Sequence, residues 1–439
     1  YHSLLNIVDR DNRRNLIVMN KVIPTFEYVT HHARMHPTRT AIEQDGRFIS
    51  YEDLKASTER IAVALEKFDL EPGNFVAVQW TTLYSHCLLL MAFEVLGVAT
   101  LTFGPDDKGV AEFFPKFDLV LHTGLADAAE HPQAQIIDEK WFYENLCSKD
   151  IPIGLRRTLE ANAPNNIAKT SGTTGHSRLV VRSNSVNAFR LDQQVKFGGY
   201  SKDTRYFVSI GLSVQSVQSA VLNCLRLGAT AIWEGRKPLA DAIRASEATH
   251  VTLLPSTLSD IVSNLPHGFQ KPTALSISTI GSALSAELRA ATFKRLATEI
   301  MESYSTNETG RICTMDSNGR GIVWPGVEVE VVDEQNNVLF NKQGNIRIRS
   351  PGVVDGYLDD TETSQLKFQD GWCYPGDSGI SPARGVIEAL GRVDDLLNIG
   401  GLKILPDNIE RRLRDELELK DVCASSIPSR HSSKSALVA

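Results

Sequence analysis

Between residues 58 and 304 the sequence alternates segments typical of buried strands with segments typical of amphipathic helices. The apolar run 75–79, for example, indicates a buried strand, and a helical segment follows it at 83–96. The predicted helices are 58–68, 83–96, 214–227, 241–248, 256–264 and 285–296, and the predicted strands are 75–79, 206–211, 229–233, 250–254, 274–280 and 299–304. Such alternation favours mostly parallel sheets joined by right-handed crossovers, with ligands near the strand ends. We therefore expect an α/β fold before residue 310.

The pattern changes after Gly310. Segments 327–332 and 344–350 alternate apolar with polar residues and are separated by turn residues, which predicts a small antiparallel lobe. Segment 391–406 is rich in Gly and Asp, and it precedes a predicted charged helix at 408–417 and a predicted strand at 422–427. A final domain is therefore expected to begin here and to be incomplete at the last residue.

The composition excludes several classes of protein. Hydrophobic residues make up 42% of the 439 residues and charged residues 23%, as in ordinary soluble domains, and this length requires several lobes. The formal charge is −7 without a basic block, so nucleic acid is not expected as a partner. The longest apolar stretch, 86–103, contains Glu94 and Gly97, so no membrane span is expected. The cysteines lie far apart, which favours a reduced, cytoplasmic location.

The most distinctive local segment is Lys-Thr-Ser-Gly-Thr-Thr-Gly-His-Ser-Arg at residues 169–178. Its glycines allow the backbone to approach an anion closely, its hydroxyl and N–H groups can donate to anion oxygens, and Arg178 can offset the negative charge. The segment therefore predicts a phosphate cradle, although a Ser/Thr/Gly surface loop has the same composition. It differs from the nucleoside-triphosphate loop that ends in Gly-Lys-Ser/Thr.

Three competing kinds of site lack part of their pattern. Segment 319–324 carries Trp324 in place of the third glycine of a dinucleotide-binding loop, which disfavours a dehydrogenase. Segment 211–215 lacks the second glycine of a nucleophile elbow, which disfavours a serine hydrolase. The histidines at 31, 32 and 36 have no glutamate between them, so a solvated helix end is favoured over a metal site.

Four segments follow one another in an order that is more specific than any one of them. They are the cradle at 170–178, Tyr-Ser-Thr-Asn-Glu at 304–308, Gly-Trp-Cys-Tyr-Pro-Gly-Asp at 371–377 and Gly-Arg-Val-Asp-Asp at 391–395. Together they resemble the motif set of the adenylate-forming superfamily, which comprises acyl- and aryl-CoA synthetases, adenylation domains of nonribosomal peptide synthetases, and luciferases. The resemblance implies a large N-terminal domain, 1–393, with two mostly parallel β/α subdomains and a small β-barrel-like lobe. It also implies that 394–439 is part of a small α/β C-terminal domain.

That resemblance implies a two-step reaction. A carboxylate attacks the α-phosphorus of ATP, pyrophosphate leaves, and the acyl group then passes from the adenylate to the thiol of CoA or of phosphopantetheine. Glu308 matches the family's Mg²⁺ ligand, a role that suits a hard carboxylate, with a capping or solvated glutamate as the alternative. The catalytic residues implied are Glu308, Arg178 and Thr170. The triphosphate loop implied is Thr170, Ser171, Gly172, Thr173, Thr174, Gly175 and Arg178.

The resemblance also assigns residues to the nucleoside end of ATP. Asp377 matches the acceptor for the ribose hydroxyls and Arg392 an arginine that reaches the same sugar, with a turn aspartate and a surface ion pair as alternatives. Tyr304 matches the face that stacks on adenine, although a tyrosine in such a strand is usually core. Asp394 matches the hinge of the C-terminal domain, with an ordinary linker as the alternative. The other ATP-binding residues implied are Gly281, Ser282, Ala283, Ser303 and Asn307.

The sequence departs from the family pattern in the cradle and in the acid pocket. Arg178 replaces a lysine and Ser177 a proline, which keeps the charge but changes its geometry. Gly211 stands where amino-acid-activating relatives carry an aspartate for the α-amine, and an unpaired buried ammonium is costly. We therefore expect an acid without an α-amino group, in a pocket that includes Gly211, Gln215 and Ser282.

The largest departure is at the end of the chain. The family's catalytic lysine lies in a C-terminal Gly-Lys motif that does not occur before Ala439, so we expect either a truncated sequence or impaired adenylation. Three functions remain open: an acid–CoA ligase, favoured by the post-hinge-like loop 396–401, an enzyme that loads a carrier protein, and a non-catalytic nucleotide-binding remnant. The expected partners are a small carboxylic acid and, in the second case, a carrier protein.

Overall fold

The computed structural model describes residues 21–107, 109–148, 155–170, 177–316 and 319–393, together with short segments between 397 and 438. Its strands are β1 (Lys21–Val22), β2 (Thr40–Gln44), β3 (Arg47–Ser50), β4 (Phe75–Gln79), β5 (Ala99–Phe103), β6 (Leu119–His122), β7 (Ala134–Ile136), β8 (Leu159–Glu160), β9 (Pro164–Lys169), β10 (Leu179–Ser183), β11 (Arg205–Phe207), β12 (Thr230–Trp233), β13 (His250–Leu253), β14 (Ser276–Thr279), β15 (Glu299–Thr306), β16 (Gly310–Met315), β17 (Gly321–Val323), β18 (Glu328–Val332), β19 (Gln343–Arg349), β20 (Phe368–Gln369), β21 (Trp372–Cys373), β22 (Asp377–Ala383), β23 (Val386–Arg392), β24 (Leu397–Ile399), β25 (Leu402–Ile404), β26 (Ser425–Pro428) and β27 (Ser435–Val438). Its α-helices are α1 (Thr25–Met35), α2 (Tyr51–Glu66), α3 (Leu83–Leu96), α4 (Ala126–Ala129), α5 (Glu139–Leu146), α6 (Asn184–Phe197), α7 (Gln215–Leu227), α8 (Leu239–Ala245), α9 (Pro255–Asn264), α10 (Ala286–Arg295) and α11 (Thr361–Lys367), and Ala111–Lys116 is a 3₁₀ helix.

One sheet has the strand order β10-β9-β5-β4-β6-β7. Its strands run parallel except β10, which pairs antiparallel with β9. Every residue of β5 is buried, as expected for a strand that is covered on both faces. Helix α3 connects β4 to β5; the Thr82 side chain caps its first turn, and Gly97 ends it with φ 79° in the left-handed region.

A second sheet contains the parallel strands in the order β2-β12-β11-β13-β14-β15. These strands and their intervening helices confirm the alternation predicted from residue 206 to 304. Strand β15 also pairs antiparallel with β16, and the order continues through β17, β23, β22, β19, β21 and β20, with β18 beside β19. The antiparallel lobe predicted after residue 310 is therefore continuous with the parallel sheet.

The two parallel sheets share one hydrophobic core. It contains Val76 of β4, Leu88 of α3, Tyr206 of β11 and Val221 of α7, each almost fully buried. The Tyr51 hydroxyl at the start of α2 lies in this core and donates to the carbonyl of Ala229 at 2.7 Å. The two expected subdomains are therefore packed together through their helices, which fixes the ends of their strands relative to each other.

Several element boundaries differ from those predicted. Helix α2 begins well before residue 58, because the Ser50 hydroxyl accepts from the Asp53 N–H at 3.0 Å and caps the helix there. Strand β11 ends at Phe207 rather than at 211, and the strand predicted at 422–427 is the shifted β26, which pairs with β27. The predicted helix 408–417 lies mostly outside the described residues. The domain boundary at 393/394 remains a prediction.

A helix that crosses a bilayer must be long and predominantly apolar. Among the described residues, none of the helices combines the length and the apolar character that are needed to cross a bilayer.

Candidate active site

The two ends of the predicted phosphate loop are joined by the β9–β10 hairpin. Lys169 and Leu179 are paired residues, the Thr170 N–H donates to the Arg178 carbonyl at 2.7 Å, and the Arg178 N–H donates to the Thr170 hydroxyl oxygen at 3.1 Å. Thr170 is buried. The residues between them that were predicted to bind phosphate lie outside the described part of the chain: Ser171, Gly172, Thr173, Thr174 and Gly175.

The Arg178 side chain already has partners in this structure. Its Nε donates to Asp360 Oδ2 at 2.6 Å, and its guanidinium lies 5.6 Å from the centre of the Tyr357 ring. The hydrogen bond from Arg178, with a further one from the Thr363 N–H, lowers the pKa of Asp360 to about 2. Arg178 was predicted as the cation of the cradle, and in the structure it forms a salt bridge with Asp360.

Glu308 lies in the turn between β15 and β16. Its Oε1 accepts a hydrogen bond from the Tyr357 hydroxyl at 2.7 Å, and the Val354 N–H donates to its main-chain carbonyl at 3.0 Å. Burial raises the pKa of Tyr357, and the charge of Glu308 raises it further. The Glu308 carboxylate is thus held in place by the hydrogen bond from the Tyr357 hydroxyl.

The structure brings the loop ends and Glu308 together. The side-chain amide of Asn307 donates to the Lys169 carbonyl at 3.0 Å, so the turn that carries Glu308 touches the residue before Thr170. Tyr357 forms a bridge with Val180 of β10 while its hydroxyl reaches Glu308. Two segments more than a hundred residues apart in the sequence therefore converge at one place, as the resemblance implies.

Arg190 of α6 fixes the position of this turn, and sequence reasoning missed it. Its guanidinium donates to three main-chain carbonyls: Gly352 at 2.8 Å, Asn307 at 3.1 Å and Glu308 at 2.8 Å. Gly310, with φ 74°, leaves room for it, since a Cβ there would lie 2.9 Å from Arg190 Nε. Burial lowers the pKa of Arg190, as does the nearby Arg182, whereas Glu308 raises it. In the sequence, Arg190 is one basic residue of a helix, and no pattern there indicates that it holds the Glu308 turn.

A second cluster surrounds Asp377. Asp377 and Arg392 are paired across β22 and β23, and Arg392 Nη1 lies 3.3 Å from Asp377 Oδ1 and donates to the Pro375 carbonyl at 2.9 Å. The Tyr304 hydroxyl donates to Asp377 Oδ2. Burial raises the pKa of Asp377, and the Tyr304 hydrogen bond and the Arg392 charge oppose that effect. Three residues predicted to bind the nucleoside are therefore in contact.

The segment predicted to enclose adenine follows β14. Gly281, Ser282 and Ala283 are exposed, and Gly281 adopts φ 95°. The Leu284 N–H donates to Glu302 Oε1 at 2.9 Å, which ties the segment to β15. Ser303 lies on the same strand and precedes Tyr304, so the segment is anchored beside the Asp377 cluster. Asp394, the predicted hinge, lies outside the described residues.

The predicted acid pocket is bounded by Trp80, which sequence reasoning missed. A Cβ on Gly211 would lie 3.2 Å from Trp80 Cδ1, so a larger residue would press against the indole. Gln215 begins α7, and its Oε1 accepts from Arg182 Nη1 at 2.8 Å. Ser282 lies after β14 and forms no hydrogen bond with Gly211 or Gln215 in the described part of the chain.

The metal-ligating groups present suit Mg²⁺ that arrives with a nucleotide. Across the described residues no cluster of three or more His, Cys, Asp or Glu side chains would hold a metal ion unaided. Mg²⁺ is typically bound by one or two carboxylates together with substrate phosphates and water. A single fixed carboxylate, that of Glu308, beside the loop ends fits this arrangement.

Known proteins resemble this chain over most of its length. A family model described as AMP-binding enzyme matches residues 29–358. Indoleacetate–CoA ligase of Aromatoleum aromaticum is 24% identical over 426 residues, covering 90% of this chain and 84% of the relative. The 2-succinylbenzoate–CoA ligase of Bacillus subtilis is 21% identical over 400 residues, covering 86% of this chain and 80% of the relative.

Solved structures share the fold. O-succinylbenzoate coenzyme A synthetase from Bacillus subtilis in complex with AMP has a TM-score of 0.82 at 19% identity, covering 94% of this chain and 87% of that chain. ATP-bound MatB from Rhodopseudomonas palustris has a TM-score of 0.81 at 21% identity, covering 93% and 88%. The matched family model spans most of the sequence, and the described residues of the four motifs lie in the clusters around Glu308 and Asp377. The chain therefore belongs to the AMP-binding enzyme family, within the adenylate-forming superfamily.

Proposed function

We propose that this chain is an AMP-forming acid–thiol ligase. It activates a small carboxylic acid with Mg·ATP, releases pyrophosphate, and transfers the acyl group from the adenylate to CoA. The observation that carries this proposal is the convergence of Thr170 and Arg178 with Glu308, joined by Tyr357 and by the contact of Asn307 with Lys169.

The charges at this place support binding of a polyanion. Arg178 and Arg190 lie beside the turn and the tyrosine that hold Glu308, in a chain with a formal charge of −7. Local positive charge in an acidic protein favours an anionic ligand, and charge stabilisation with accurate positioning is what transfer at phosphorus requires. Bound Mg²⁺ would neutralise phosphate charge, and Glu308 would hold it.

The Asp377 cluster supports the orientation of the nucleotide. A buried carboxylate that already accepts from Tyr304 and Arg392 has lone pairs left for the vicinal hydroxyls of a ribose. We assign the sugar to Asp377 and Arg392, and the adenine to the segment 281–283 and Tyr304. Rotation of residues 394–439 about Asp394 between the two half-reactions belongs to the same proposal.

The acid is proposed to lack an α-amino group. A Cβ at position 211 would lie 3.2 Å from Trp80 Cδ1, so the aspartate that would pair with an ammonium would require the indole to shift. An apolar wall of this kind suits an aryl or alkyl acid.

The free cysteines of the described part of the chain, four of them buried, support the proposed cytoplasmic location.

The test is acid-dependent exchange of labelled pyrophosphate into ATP by the complete gene product. We expect exchange with at least one member of a panel of aryl, alkyl and amino acids, with no stimulation by the amino acids. Formation of a thioester with free CoA, compared with a phosphopantetheinylated carrier protein, then identifies the acceptor. ATP binding without exchange for any acid would contradict the proposal and indicate a non-catalytic nucleotide-binding protein.

A further inference from the structure

Arg182 is a buried cation that keeps an unpartnered donor among the described residues. It lies in β10, is 3% exposed, and is paired across the hairpin with Asn166 of β9. Its Nη1 donates to Gln215 Oε1 at 2.8 Å, and its buried Nε has no hydrogen-bond partner among the described residues. Within the same residues no carboxylate forms a salt bridge with it. Burial lowers its pKa to about 10, so the group is still charged at neutral pH.

The guanidinium faces the start of α7, where a positive charge is unfavourable. Gln215 is the first residue of this 13-residue helix, and Val214 supplies no side-chain cap. The N–H groups of Gln215 and Ser216 have no acceptor in the described part of the chain. The helix dipole places partial positive charge at this end, so Arg182 adds a cation where an anion is preferred.

Glu308 acts on Arg182 through its charge, without a salt bridge, whereas the polar side chains around the paired Asn166 are neutral. Asn166 Nδ2 donates to Gln218 Oε1 at 3.0 Å, and Gln218 Nε2 donates to Thr102 Oγ1 at 3.0 Å. His86 Nε2 lies 2.9 Å from the same hydroxyl, and burial lowers the pKa of His86 to about 3, so its ring is neutral. This network fixes the two strands and the helix without supplying negative charge. A buried cation with a free donor is costly unless an anion completes the site.

Arg182 contacts the side of the site where the acid pocket is predicted. Arg182 lies four residues beyond Arg178, which at strand geometry is about 13 Å along the chain. It contacts the helix that follows Gly211, and a Cβ on Gly211 would lie 3.2 Å from Trp80, the wall of the predicted acid pocket. A guanidinium fork beside free helix N–H groups matches the planar, two-oxygen geometry of a carboxylate.

We propose that Arg182, together with the N-terminus of α7, binds a carboxylate of the acid substrate. This inference rests on the proposed function and specifies the acid site. The carboxylate is either the one that reacts with ATP or a second one carried by a dicarboxylic acid, and the two sources give different results below.

The test compares the wild type with Arg182→Met and Arg182→Lys in pyrophosphate exchange. The probes are matched pairs of mono- and dicarboxylic acids, namely benzoate with phthalate and hexanoate with adipate. Loss of a charged hydrogen bond predicts that Arg182→Met raises the KM for the acid by roughly 10-fold to 100-fold, whereas the KM for ATP changes little. Arg182→Lys should fall between the two. Arg295→Met is the control, because the Arg295 guanidinium is likewise hydrogen-bonded within the fold, to the Val262 and Leu265 carbonyls, but outside the site.

The two sources and the failures are separable. An equal loss for both members of a pair assigns Arg182 to the reacting carboxylate, and a loss confined to the dicarboxylic acid assigns it to the second one. Unchanged KM values for all acids, or equal increases for acid and ATP, in a variant with the wild-type melting temperature overturn the inference. If the wild type exchanges with no acid, the proposed function fails, and the carboxylate site is then tested by melting temperature. A rise in melting temperature that an acid induces in the wild type, and that Arg182→Met abolishes, supports the carboxylate site. A rise that persists in Arg182→Met, or no rise in the wild type, overturns the inference.

Discussion

Replacing Glu308 with Gln is expected to lower acid-dependent pyrophosphate exchange by roughly 100-fold at limiting magnesium, which is the size of effect seen when one preorganised charge-stabilising group is lost. Glutamine keeps an oxygen that can accept from the Tyr357 hydroxyl, so the local fold should be retained. What disappears is the negative charge that faces Arg182 and Arg190 and that would hold the metal. Excess magnesium should therefore restore part of the rate.

The measurement is the exchange rate across a magnesium titration, with the melting temperature as a check of folding. Glu334→Gln is the matched control, since Glu334 is exposed in a surface turn and its neutralisation should leave the rate unchanged. Rates for Glu308→Gln that equal those of the wild type at every magnesium concentration would remove the proposed role of Glu308.

Asp377→Asn should weaken ATP binding by roughly 10-fold to 100-fold, because a charged hydrogen-bond acceptor is replaced by a neutral amide. The substitution also leaves Arg392 without its carboxylate partner and places an NH₂ group beside a donor hydroxyl, that of Tyr304. The loss of ATP affinity should depend on the hydroxyl groups of the ribose. The wild type is expected to prefer ATP to 2′-deoxy-ATP and 3′-deoxy-ATP, and Asp377→Asn to lose that preference.

Calorimetric binding of the three nucleotides measures this difference. Asp370→Asn provides the control, since Asp370 lies in an exposed turn with φ 50°, a conformation that asparagine also tolerates. If Asp377→Asn binds ATP weakly but still discriminates against the deoxynucleotides as the wild type does, the carboxylate does not contact the ribose.

Local patterns predicted the parallel sheets because each strand and helix is marked by its own residues. The buried run at β4 and the periodic helix α3 illustrate this, and the structure places both as expected. The shared core was not predictable in the same way. It depends on packing between helices that are distant in sequence, as the contact of the Tyr51 hydroxyl with Ala229 shows.

The motifs predicted which segments meet but not how they are held. Glu308 and Arg178 were identified from their motifs, whereas Arg190, which fixes the Glu308 turn through three carbonyls, is an ordinary basic residue in the sequence of α6. The Asp360 partner of Arg178 likewise lies far along the chain. Among the residues outside the motifs, Arg182 can be recognised as unusual from the sequence. It follows the apolar start of β10, and a charged residue is rarely buried unless it is paired.

The ends of the 170–178 loop and Glu308 are proposed to bind one metal–triphosphate complex. Cleavage of the backbone by radicals generated at Fe²⁺ bound with ATP in place of Mg²⁺ tests it most directly, with the cut sites mapped by mass spectrometry. We predict ATP-dependent cuts both in the turn 306–309 and within 169–178, and their loss in Glu308→Gln. Cuts confined to one of these segments, or placed elsewhere in the chain, would contradict the claim.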